Sequence, residues 1–195
     1  MEDIQYHFLL QSDINDIPRV CHTNRILYRH CSNKQFWINK FEQDRLPFLN
    51  DDCQTISCWI DEYNITEYAV DKTVSILNKL KIQTLPFFKI NLTGFDELIT
   101  SDILLNILPI TFVNKYKDSI QNIYDHINDN QSLSIGVSLR NNVYTLTFNM
   151  YDFNTNQSKY IKEQCHKNDI QHILIILLHE YPNIEILDNK NDNYV

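Results

Sequence analysis

The sequence predicts an α+β protein: an N-terminal bundle of short helices over residues 1–49, then a mixed domain over residues 50–195 with a mainly antiparallel sheet and covering helices. Three observations predict it. Apolar residues recur at helical spacing as far as Pro47, recur at that spacing again from Glu62 to Lys81, and alternate strictly on both sides of Asn141-Asn142. A chain of 195 residues has room for one sizeable core or two small ones. Hydrophobic residues make up 43% and aromatics 12%, enough apolar surface to offset the ordering entropy of a globular chain.

Taken in order, Ile4, Phe8 and Leu10 mark a first short helix that Ser12 and Asp13 end. Asn15 is the expected N-cap of a second helix, with Pro18 in the first turn, where its missing N–H has no intrahelical partner to lose. Thr23-Asn24 breaks the pattern. A third helix carries Ile26, Leu27, Tyr28 and Cys31, and Ser32 or Asn33 caps a fourth with Phe36, Trp37, Phe41 and Leu46, stopped by Pro47. Residues 50–58 read as a connector. Ile65, Tyr68, Ala69, Thr73, Ile76, Leu77 and Leu80 then give one face of an amphipathic helix.

Leu85 to Leu92 alternates as a strand, with Gly94 marking a turn. Ser101 or Asp102 caps a short helix closed by Pro109, and Tyr116 to Ile127 gives another. The hairpin is the clearest signal. Leu133, Ile135, Val137 and Leu139 alternate, Asn141-Asn142 suits a positive-φ turn, and Tyr144, Leu146, Phe148 and Met150 alternate on the return. Ser158 to Cys165 offers a further strand, Asn168 or Asp169 caps a helix from Ile170 to Tyr181, and Ile184 to Leu187 returns as a strand after Pro182. The polar stretch DNKNDNYV is expected to fray.

Charge narrows the function. The net charge is −8, and basic residues stand singly or in pairs, so nucleic acid is not an expected partner. The opening MEDIQYHFLLQSD lacks a basic n-region and a long apolar core, and the longest apolar run, Ile173 to Leu178, falls far short of the ~20 residues that span a bilayer. No membrane partner is expected. Cys21, Cys31, Cys53, Cys58 and Cys165 form an odd set without a CxxC pair, which predicts buried or half-buried thiols and a cytoplasmic, reducing location. The letter matches to glycosylation sequons at Asn64, Asn91, Asn130 and Asn156 carry no weight in such an Asn-rich chain.

No catalytic residue, metal ligand or cofactor is assigned. Cys21-His22 and His30-Cys31 put neighbouring side chains about 100° apart on a helix, which rarely lets both ligate one ion. His172 and His179 miss the HExxH spacing. A nucleophile at Cys165-His166 would need a spatial base and an oxyanion hole, and adjacency provides neither. With Gly94 and Gly136 the only glycines, neither GxGxxG nor a P-loop can be written. Asp51, Asp52, Asp61 and Glu62 are expected in solvent.

One segment rises above this background. Asp13 to Asp44, DINDIPRVCHTNRILYRHCSNKQFWINKFEQD, has an acidic-apolar opening at Asp16-Ile17, an apolar-Cys step at Val20-Cys21, the Thr23-Asn24 break, a short helix ending at Cys31, and Phe36-Trp37 before Lys40-Phe41. It resembles the F-box-like helical motif, in the divergent, shortened form found in proteins of large DNA viruses of amoebae. The motif, at about residues 4–48, departs from the ordinary pattern in lacking a Leu-Pro opening and a long first helix. The resemblance implies a viral protein in the host cytoplasm, a substrate-recruiting subunit of a cullin-RING ubiquitin ligase. In the family the first helices grip a Skp-type adaptor, and the second domain would select the target.

Short helices crowded with apolar side chains cannot hide all of them internally, so they are expected to face a protein partner. The expected docking residues are Ile4, Phe8, Leu9, Ile14, Ile17, Pro18, Val20, Phe36 and Trp37. The alternative is a structural or virion-associated protein, as a homodimer, that keeps the helices only for packing. A third expectation is a small enzyme with a site of scattered residues.

Overall fold

A computed structural model describes residues 2–82, 87–92, 101–125, 131–184 and 186–188. The chain divides into two compact units, Met1–Asp71 and Lys72–Val195. The turn expected at Gly94 and the polar tail beyond Asp188 lie outside the described residues. Helices and an antiparallel sheet confirm the α+β class.

The first unit holds α1 (Glu2–Gln11), α2 (Ile17–Cys21), α3 (Arg25–Cys31), α4 (Lys34–Gln43) and the start of α5 (Ile56–Lys81). Side chains start and stop these helices. Asn24 Oδ1 accepts from the N–H groups of Ile26 and Leu27 at 2.9 Å each, which makes the break before α3 an N-cap. Asn33 does the same for α4 through Gln35 N–H at 2.9 Å. The cap position of α2 is Asp16 rather than Asn15, and Asn15 is instead tied to the Asp13 carboxylate. Helix α4 ends at Gln43, ahead of Pro47, because Arg45 turns left-handed at φ 59° and Leu46 N–H reaches back to Phe41 C=O at 2.8 Å. That is the Schellman closure, with Leu46 packed beside the buried Phe41.

Phe36, Trp37, Phe41, Trp59 and Tyr63 build the core of this unit. Trp37 and Trp59 stack with ring centroids 6.2 Å apart and planes 14° apart, and Phe48 stacks on Trp59 at 5.5 Å. The indole of Trp37 donates to Cys31 C=O at 2.8 Å, so its polar end is satisfied in the interior. Since α5 supplies Trp59 and Tyr63, the unit ends at Asp71 and not at residue 49.

The cysteines correct another expectation. Cys21 is bonded to Cys31, with Cα atoms 6.1 Å apart, and Cys53 to Cys58, with Cα atoms 5.5 Å apart. Only Cys165 is a free thiol. The capped turn at Asn24 folds α2 back along α3, which brings together two cysteines that sequence spacing alone left unpaired.

The second unit holds β1 (Phe87–Asn91), α6 (Ser101–Ile107), α7 (Ile110–Asp125), β2 (Gln131–Arg140), β3 (Val143–Asp152), β4 (Gln157–Cys165), α8 (Lys167–Glu180) and β5 (Ile186–Asp188). The strands form one sheet in the order β4-β3-β2-β1-β5, every neighbouring pair antiparallel. Asn141 and Asn142 have φ of 52° and 62°, the two-residue turn whose twist matches the flanking strands. Cross-strand partners Ile135↔Phe148 and Val137↔Leu146 bury together with Phe88 and Ile90. Glu163 on β4 accepts from Lys115 at 2.5 Å and Tyr116 at 2.9 Å, fixing α7 to that side. Helix α8 begins at Lys167, with the Asp169 carboxylate accepting from the His166 N–H at 3.1 Å. No helix among the described residues is long and apolar enough to cross a membrane.

Candidate protein-docking site

Helical geometry separates the nine expected docking residues into two groups. On α1, residues four apart share a face, so Ile4 and Phe8 stand one above the other while Leu9 and Leu10 point the other way. Ile4 is 73% exposed and Phe8 59% exposed, whereas Leu9 is fully buried. Ile14, Ile17, Phe36 and Trp37 are buried as well, and Pro18 and Val20 are half-buried. The expectation that Leu9, Ile14, Ile17, Phe36 and Trp37 face a partner is therefore corrected. These side chains are sealed by their own unit, because α5 brings Trp59 and Tyr63 to cover them. The outward apolar surface on α1 reduces to the Ile4–Phe8 pair.

The C-terminal end of α1 is held by a polar lock the sequence did not suggest. Lys40 is only 4% exposed, and its ammonium donates to the C=O groups of Leu10 at 2.9 Å and Ser12 at 3.0 Å. It thereby fills acceptor positions that the last turn of α1 leaves open. The same ammonium pairs with Asp44 at 2.8 Å, and Asp44 accepts from the Tyr63 hydroxyl at 2.7 Å. Burial, followed by the Asp44 hydrogen bond and charge, raises the Tyr63 phenol well above its ordinary range. Glu67 is also raised, first by burial and then by Asp71, Asp44 and Asp13. Glu62, expected in solvent, is 6% exposed, with Asn50 donating to it at 3.4 Å.

The constellations weighed for chemistry are not gathered. Cys21 and Cys31 are joined to each other, so neither sulfur is a thiolate ligand. His172 is exposed while His179 is buried beside Glu180, 3.1 Å from its carboxylate. Among the described residues no three His, Cys, Asp or Glu side chains are placed to hold a metal ion. Cys165 sits in a shallow depression with Lys115, Glu163, His166 and Asp169. Burial, then the Asp169 and Glu163 charges, pushes its thiol up to about 11, so it is protonated at neutral pH.

Comparison with known proteins adds no relative. No protein-family model, curated protein or solved structure matches the chain.

Lys40 was present in the sequence as the residue before Phe41, but nothing in its neighbours marked it as buried. Its partners lie far away in the chain, at Leu10, Ser12 and, through Asp44, Tyr63.

Proposed function

We propose that this chain is a non-catalytic protein-interaction protein whose helical unit docks a partner through the outer face of α1. The observation that carries the reading is the Ile4–Phe8 pair, two large apolar side chains held in water on a helix that buries Leu9 and Leu10 on its other side. Anchors of this kind, in an i,i+4 pair, provide most of the energy when a helix lies against a partner's groove. The F-box-like resemblance supports a Skp-type adaptor as that partner, with the chain a recruiting subunit of a ubiquitin ligase in the cytoplasm. Size-exclusion chromatography of the full chain with a purified Skp-type adaptor tests it. Co-elution should be lost in Phe8→Asp while far-UV circular dichroism stays unchanged, since Phe8 lies outside the core. Absence of co-elution, or co-elution indifferent to Phe8→Asp, would sink the adaptor reading.

The disulfides favour a second reading. Cytosolic proteins rarely hold structural disulfides, and this unit has two. They support a structural or virion-associated protein, dimerising through the same exposed pair. Light scattering of the oxidised chain should then give twice the monomer mass, and Ile4→Asp should restore the monomer.

A further inference from the structure

Alternation along the strands gives the sheet two unlike faces. One is the apolar face described above. The other is formed by the odd-numbered residues of β1 and β3 and the even-numbered residues of β2 and β4. Although the chain carries a net charge of −8, these positions hold Lys89, Arg140 and Lys162 and no Asp or Glu. Among the described residues neither Lys89 nor Arg140 has an ion-pair partner. Folding has sorted isolated cations from three strands onto one surface, to which the described residues of β1 to β4 contribute no carboxylate.

The register arranges two of them. Lys89 pairs with Gly136, Gly136 with Thr147 and Thr147 with Lys162, so the two lysines end a single row across four strands. Three strand spacings separate them by roughly 14 Å. Each lysine has an aromatic ring two residues away on the same face. Tyr160 is 61% exposed, with Lys162 Nζ 4.6 Å from its ring centroid. Half-buried Phe87 lies over Gly136, where an added Cβ would come within 2.6 Å of two of its ring carbons. The Phe87 ring thus covers the row at Gly136, and the row is open at its Lys162 end, where Tyr160 and Lys162 are exposed.

We propose that this face binds a single-stranded nucleic acid, with Lys89, Arg140 and Lys162 meeting phosphates and Tyr160 and Phe87 stacking bases. Unpaired cations beside the exposed Tyr160 ring and the half-buried Phe87 ring suit a flexible strand that presents both charge and π-faces, and a duplex presents no free base to stack. The charge of the whole chain hides the surface. The proposal is independent of the docking role of α1.

The test is fluorescence anisotropy of the full chain with labelled 15-nucleotide poly(U) and poly(dT) across a salt series. Three phosphate contacts predict that log K falls with log salt at a slope of about −2. Tyr160→Ala should weaken binding by about tenfold, the loss of one stacked base. Lys162→Glu should weaken it at least as much and flatten the slope. Lys117→Glu, an equal charge change on exposed α7, should leave binding within about twofold. Absence of binding at low salt, or equal losses with Lys117→Glu, would overturn the proposal. Equal affinity for a heparin fragment, unaffected by Tyr160→Ala, would also overturn it and leave a general polyanion surface.

Discussion

The helical unit and the sheet unit solve the same problem by different means. Helices α1 to α4 run from five to ten residues, lengths at which an isolated helix barely forms in water. That unit is held instead by side chains: stacked indoles, a buried lysine on helix-end carbonyls, and two disulfides. The sheet unit is held by its backbone. Strands β2 and β3 pair over their whole ten-residue lengths, and the alternation that fixes their register also fills the core. Single side chains should therefore matter more in the first unit, and backbone conformation more in the second.

The most direct way to break this contrast is Trp37→Ala. The side chain is fully buried, stacked on Trp59 and hydrogen-bonded to Cys31 C=O. Its removal should destabilise the helical unit by about 3–5 kcal/mol, read from hydrogen exchange at the amides of α3 and α4. A loss under about 1 kcal/mol would mean that the indoles fill space without organising it.

Reduction comes next. The Cys21–Cys31 bond closes a loop across ten positions, for which chain entropy predicts about 2–3 kcal/mol, and the shorter Cys53–Cys58 loop should contribute about 2 kcal/mol. Mass spectrometry after alkylation without reductant should find one modified cysteine, Cys165. Five modified cysteines in protein purified under air would remove the sulfur from the comparison and return the unit to packing alone.

How much could be read beforehand follows the same divide. The hairpin was legible because alternation and Asn141-Asn142 are both local signals, and the structure places both strands and the turn there. The start of α5 was missed. Thr55-Ile56-Ser57-Cys58 read as a connector, yet Thr55 Oγ1 accepts from Cys58 N–H at 3.2 Å and begins the helix. Helix α7 likewise starts at Ile110, directly after Pro109, and not at Tyr116. Of the docking residues, Ile4 and Phe8 came out exposed, while the inward turn of Leu9, Ile17 and Trp37 depended on rings supplied from α5. The disulfides and the cationic sheet face were invisible for one reason: each joins residues whose neighbours in sequence say nothing about their neighbours in space.

The lysine lock sharpens the contrast further. Lys40→Met keeps the length of the side chain but strips the carbonyls of Leu10 and Ser12 of their donor and leaves Asp44 without its cation. A cost of about 2 kcal/mol is expected, since hydrogen bonds to a buried charge are worth about 1.5–3 kcal/mol and Asp44 is partly in water. Its neighbour Tyr63 adds a pH signature. The folded phenol titrates above the unfolded one, so its contribution is fully present below pH ~10 and is lost as pH rises through the folded value. Absorbance of the ionised phenol should accordingly appear together with unfolding of the helical unit, and Tyr63→Phe should remove that coincidence.

The smallest effect belongs to the backbone of the sheet unit. Asn142 sits at φ 62°, a conformation that Asn tolerates and glycine adopts freely. Asn142→Gly should relieve the left-handed cost without touching a buried side chain, for Asn142 is exposed. A gain of a few tenths of a kcal/mol is expected, offset in part by the greater entropy glycine has in the unfolded chain. Asn142→Val should go the other way by about 1–2 kcal/mol, because a β-branched side chain resists positive φ. Chemical denaturation of both variants would check the pair. If they prove equally stable, the turn does not set the β2–β3 register, and the side-chain alternation must do so unaided, which would bring the sheet unit closer to its helical neighbour in kind.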